Sequence, residues 1–163
     1  MPILARASIT PSLFDRLTDH EPRHTKEATP PEQLQRELYK AGVARDLTSL
    51  LNTLQREEDI PEEYELVRQS VLAYGMPDFT TAPMDRDAIR QAVERVIRVF
   101  EPRLSRVEVA FEPEPGRRDV EQLLFRFVFR ISAVLRLDVG SEPVVYDAVL
   151  PKELRRFQVT VGR

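Results

Sequence analysis

The chain contains no cysteine, which excludes a disulfide, a thiol nucleophile and a thiolate metal site. A reducing compartment agrees with that absence. Histidine is scarce: His20 and His24 are the two present. Their i, i+4 spacing would suit one helix face, but Pro22 between them breaks a helix. Neither a metal site nor a nucleophile–base pair is expected there. Five glycines are scattered along the chain, and none falls into a GxGxxG or GxxxxGK phosphate-binding pattern. Basic residues are outnumbered, 24 against 27 acidic, for a net charge of −3. That balance argues against nucleic acid held on a broad basic face. No apolar run is long enough to span a bilayer. Met1 to Ile9, interrupted by Arg6, is too short in its apolar part for a signal peptide. The expectation is a soluble, cytoplasmic protein with no cofactor, no metal and no direct membrane insertion.

What is present divides into an arm and a domain. Residues 1–31 read as an N-terminal arm, partly disordered or ordered by a partner. Within it Ser12–Leu17 is a short amphipathic turn with Leu13, Phe14 and Leu17 on one side. Residues 32–163 read as a single domain. Thr29 is expected to cap a helix with Pro30 in its first position and Glu32 completing a capping box. Leu34, Leu38, Ala41, Leu47, Leu50, Leu51 and Leu54 follow at near-helical spacing, with Gly42 as a weak point. A shorter helix is predicted over 62–72 with Leu66, Val67 and Val71 inward. An irregular stretch follows, anchored by Tyr74, Met76 and Phe79. The clearest helix spans 85–100, its stripe formed by Ile89, Val93, Val96, Ile97 and Phe100.

Beyond Arg103 the period changes to two. Val107, Val109 and Phe111 alternate with polar or small residues. Phe125, Phe127, Phe129 and Ile131 face one way, with Arg126, Val128 and Arg130 opposite. A third strand runs from Val144 to Val149 and a last one from Phe157 to Val161. Helices followed by a meander predict an α+β fold, with N-terminal helices on one face of a small antiparallel or mixed sheet. Glu108, Arg126, Arg130 and Asp147 are expected on the solvent face as cross-strand charge pairs.

The junction is Phe100-Glu101-Pro102-Arg103-Leu104. Proline removes a helical donor and displaces Glu101 from helical angles, so the helix should end near Phe100. Glu101 and Arg103 then hold opposite charges across a rigid bend. That is either a helix stop, with a cation at the negative end of the dipole, or a presented contact. Paired carboxylates are the remaining route to catalysis. Glu112 and Glu114 flank a strand end, and Glu57, Glu58 and Asp59 cluster in a loop, all read as solvated. No enzyme signature is found, and no small-molecule substrate is expected.

Five segments in order carry a family resemblance: Pro11–Leu17, Arg45–Thr53, Ser70–Phe79 (with Tyr-Gly-Met-Pro-Asp-Phe at its end), Phe100–Leu104, and Val144–Leu150 with Arg156-Phe157. Over residues 11–161 the chain resembles the TssE family of type VI secretion baseplate subunits, similar to the small wedge protein of contractile phage tails. The resemblance implies a cytoplasmic assembly component associated with the inner-membrane-docked secretion complex. It would dock beside TssF-, TssG- and TssK-type subunits and help initiate sheath assembly. It also implies that Glu101, Pro102 and Arg103 make wedge contacts; Arg126 and Arg130 join them as candidate partner-binding residues on the basic strand. A sheet edge would receive a strand from a sheath subunit. Arg103→Glu is expected to abolish wedge assembly while the chain still folds. Two departures stand out: Leu54 where relatives often have arginine after Leu-Leu-Asn-Thr, and a short loop between Phe79 and Asp85. The competing readings are a regulatory adaptor on the same fold and a muramidase. The latter would need a raised-pKa acid in an apolar cleft.

Overall fold

The computed structural model describes residues 9–18, 30–56, 60–61, 63–79, 85–112, 126–138, 140–151 and 156–162. Helix α1 (Leu13–Leu17) precedes the long α2 (Glu32–Asn52), and α3 (Glu65–Arg68) precedes a 3-10 turn (Val71–Ala73) and α4 (Arg86–Phe100). Strands β1 (Leu104–Phe111), β2 (Arg126–Leu137), β3 (Gly140–Pro151) and β4 (Gln158–Val161) follow and form one sheet in the order β1-β2-β3-β4. Every pairing is antiparallel. The fold is thus α+β as predicted, and the sheet is antiparallel rather than mixed.

Helix α4 forms where the 3.6-residue stripe predicts it. Asp85 caps it by accepting from the Asp87 N–H, and Ile89, Val93, Val96 and Ile97 are buried against the sheet. It stops at Phe100, one residue before Glu101, as the proline requires. Helix α2 starts later than expected. Pro31 occupies the cap position without a side-chain cap bond, and Pro30 lies outside the helix. Thr29 falls outside the described residues. The helix runs unbroken through Gly42. Val43, Leu47, Leu50 and Leu51 are buried, whereas Leu34, Leu38 and Leu54 are about half exposed.

The 62–72 helix is corrected. Among the described residues of that stretch only Glu65–Arg68 is α-helical, and Leu66 and Val71 are exposed rather than inward. Ser70 explains the break: its hydroxyl caps the 3-10 turn by accepting from the Leu72 N–H, a local competitor to helical bonding. The next stretch is pinned to the end of α2. Met76 N–H donates to the Thr53 carbonyl and Gln55 N–H to the Met76 carbonyl, both at 2.8 Å. Gly75 has φ +111°, and a Cβ there would stand 2.4 Å from the Thr53 carbonyl oxygen. Glycine is therefore required on two grounds. Met76 is buried, and Tyr74 stacks edge-on against Phe100 at 5.2 Å. The short loop between Phe79 and Asp85 consists of residues outside the described set.

In the sheet, β2 and β3 pair from Arg126↔Pro151 to Leu137↔Gly140, well beyond the Ile131 and Val144 limits expected. Their core faces meet α2 and α4 through Phe127, Phe129, Ile131, Tyr146 and Ala148. β1 carries a bulge between Ser105 and Glu108. Arg106 sits there with φ 51°, so Leu104 and Val107 both face the core at a spacing of three.

Candidate functional site

Segments far apart in sequence meet along α2, at its middle and at its C-terminal end. At the Glu101-Pro102-Arg103 turn, Glu101 is only 5% exposed. Its two oxygens take Arg103 as a fork, Nε at 2.7 Å and Nη2 at 2.5 Å, and Oε1 also accepts the Arg103 N–H at 3.2 Å. Planar guanidinium matches carboxylate in this geometry. The bend permits it: Pro102 ends the helix, and outside the helix Glu101 and Arg103, two positions apart, turn to the same side. Arg103 Nη2 also reaches Asp46 on α2 at 2.8 Å, and its guanidinium lies 5.9 Å from the Tyr39 ring centre. Hydrogen bonding to the Glu101 carboxylate raises the Arg103 pKa, against the opposing effect of burial.

The chain of charges continues. Asp46 accepts from Arg45 at 2.8 Å, and Arg45 donates to Asp15 of α1. The Arg45 guanidinium lies 4.4 Å from the Phe14 ring centre. A Cβ on Gly42 would come within 2.9 Å of an Asp15 carboxylate oxygen, so the glycine leaves room for that side chain. Burial raises the Asp15 pKa, but hydrogen bonds from Arg45 and Ser12 outweigh it and leave the carboxyl below its ordinary value. The sequence Asp15–Arg45–Asp46–Arg103–Glu101 thus ties α1, α2 and the α4–β1 turn together. Asp15, Arg45 and Asp46 stand inside the segments that carry the resemblance, yet their joining was not foreseen.

At the C-terminal end of α2, Asn52 acts as a surrogate strand. Its amide donates to the Phe157 carbonyl at 2.8 Å and accepts the Phe157 N–H at 2.7 Å. Thr48 Oγ1 accepts the Val159 N–H at 3.2 Å.

The remaining candidates lie elsewhere. Arg130 projects from the sheet face opposite the helices and pairs with Glu112 at 2.8 Å and Asp147 at 3.4 Å. Glu108 sits opposite Ser132 instead. Arg126 opens β2 opposite Pro151. The structure therefore joins Glu101 with Arg103 and leaves Arg130 in a separate charge cluster. Pro102 is exposed between its two neighbours. Both Glu101 oxygens are taken up by Arg103.

A shallow cleft of about 140 Å³ is lined by Leu51, Met76, Phe79, Leu150 and Phe157 among others, smaller than the roughly 300–1,000 Å³ of ordinary ligand sites. Among the described residues no His, Cys, Asp and Glu group is placed to hold a metal ion. No described helix is long and apolar enough to cross a membrane. His20 and His24 lie outside the described residues.

Comparison with family models matches residues 37–139 to the family described as baseplate wedge protein gp25. Comparisons with curated proteins and with solved structures found no match. The matched span, well over half of the chain, holds most of α2, all of α4, the Glu101-Pro102-Arg103 turn and the β1–β2 pair.

Proposed function

We propose, from the premise that this chain belongs to the baseplate wedge protein gp25 family, that it is the TssE-type wedge subunit of a type VI secretion machine. Family membership makes it a structural baseplate component that contacts other baseplate subunits. The finer reading places it in the cytoplasm, at the inner-membrane-docked complex, beside TssF-, TssG- and TssK-type subunits. There it starts contractile sheath assembly by offering a sheet edge to a sheath subunit's strand. The observation that carries this reading is the buried Glu101–Arg103 fork, extended through Asp46 and Arg45 to α1. A rigid, internally satisfied bend presents Pro102 and the remaining Arg103 surface in one fixed geometry, which suits docking rather than chemistry. Arg130 supplies a second, basic contact on the opposite sheet face, and Arg126 opens the same strand.

Co-purification with TssF- and TssG-type subunits tests the role. The wild type is expected to be retained. Pro102→Asp, at an exposed site, is expected to lower retention at least about tenfold while circular dichroism stays native, the loss of one well-packed contact being worth about 1.4 kcal/mol or more. A folded wild type that binds neither subunit would overturn the wedge reading in favour of a single-partner adaptor.

A further inference from the structure

The two outer edges of the sheet are closed by different devices. On β4, the outward groups of Phe157 and the Val159 N–H are held by Asn52 and Thr48 of α2. Opening that edge breaks the Asn52 and Thr48 bonds of α2 to the sheet, and beyond Val159 only Val161 remains as an outward residue of β4. On β1, Glu112 N–H donates to the Val128 carbonyl, so by alternation Val107, Val109 and Phe111 turn their backbone groups outward. Their carbonyls are not left bare. Arg98 of α4 donates to the Val107 carbonyl at 2.8 and 3.3 Å, and Arg90 donates to the Val109 carbonyl at 3.4 Å. Glu94 lies between them on the same helix stripe and takes both guanidiniums, at 3.1 and 2.5 Å. Among the described residues no acceptor meets the outward N–H groups of Val109 and Phe111.

We infer that β1 is the edge that receives a partner strand, with Arg90 and Arg98 as displaceable stand-ins for its donors, and that the strand carries acidic side chains. This rests on the reading above that a sheath subunit adds a strand to this sheet. An incoming strand supplies N–H groups to the Val107 and Val109 carbonyls and C=O groups to the waiting N–H donors. The arginines it displaces keep Glu94 but lose a carbonyl each, and a guanidinium near an interface needs replacement acceptors. Carboxylates on the incoming strand provide them in bidentate geometry. Arg98, its side chain 56% exposed, is the readier of the two to swing out. The bulge at Arg106 ends the pairing zone and adds one more exposed cation beside it.

Amide hydrogen exchange on the full chain, with and without purified sheath protein of the same machine, tests this, alongside co-sedimentation. Val109 and Phe111 amides are expected to slow at least about tenfold on binding, and Arg98→Glu, natively folded by circular dichroism, is expected to bind at least about tenfold more weakly. Arg98→Gln, which keeps a donor but no charge, serves if the reversal fails to fold and is expected to weaken binding in a salt-sensitive way. Co-sedimentation without slowing at Val109 and Phe111, or with slowing at Val161 instead, sinks the β1 inference and leaves the sheath-initiating role standing. Absence of co-sedimentation overturns both.

Discussion

Glu101 has no water-facing route for its charge, so the residue that makes its burial tolerable is Arg103. A buried pair of this kind contributes little net stability, yet removing one partner strands the other at a cost of about 3–5 kcal/mol. Arg103→Glu goes further, since it sets a new carboxylate beside Glu101 and Asp46. It is expected to lower the urea midpoint by at least that equivalent, and Arg103→Lys, which keeps charge without the fork, to lower it less. Charge reversal here therefore tests folding as well as docking, and Pro102 is the better probe of docking. The bend and the opposite charges were legible because proline acts locally. Asp46 was not, because it lies 57 positions away and only the packing of α2 across the turn brings it there.

Elements were read well where one face meets one core. The α4 stripe and its stop were visible because Asp85, four apolar positions and Pro102 all point to the same limits. The 62–72 helix failed because a periodic apolar set cannot by itself outweigh a serine that offers the backbone a different bond. Helix α1 is a five-residue piece, too short to persist unaided. Its anchors are the Asp15–Arg45 pair, the Arg45–Phe14 contact and the Ser12 cap. The acid response follows from the sign of the Asp15 shift. Because the folded carboxyl is held below 3.8, its contribution is complete above that pH and fades as pH falls through the lowered value. Nuclear magnetic resonance shifts of the Phe14 ring should therefore move toward those of a released α1 only below pH 3.8. Asp15→Asn should show the released shifts at neutral pH. Unchanged Phe14 shifts across the acid range would sink this account of the anchor.

For the molecule as a whole, the order of helices and strands made the α+β class legible, since both periods are written along the chain. The closure between its first long helix and its last strand was not, because an asparagine side chain replaces a strand there. Asn52→Ala leaves the Phe157 N–H and C=O without their partners, at a cost of about 1–3 kcal/mol. Hydrogen exchange at Phe157 and Val159 is expected to speed up while the β2–β3 amides stay protected. Uniform loss of protection would instead make Asn52 part of the global core.

That closure also sets a schedule for synthesis. Phe157 follows Asn52 by 105 positions, so at about 5–20 residues per second α2 waits roughly 5–20 s on the ribosome for the strand that covers its end. Strands β1, β2 and β3 are made within that interval, so what Leu47, Leu50 and Leu51 lack until its end is the β4 side of their cover. The Asn52 contact therefore becomes available to the growing chain only after β1, β2 and β3 have been made.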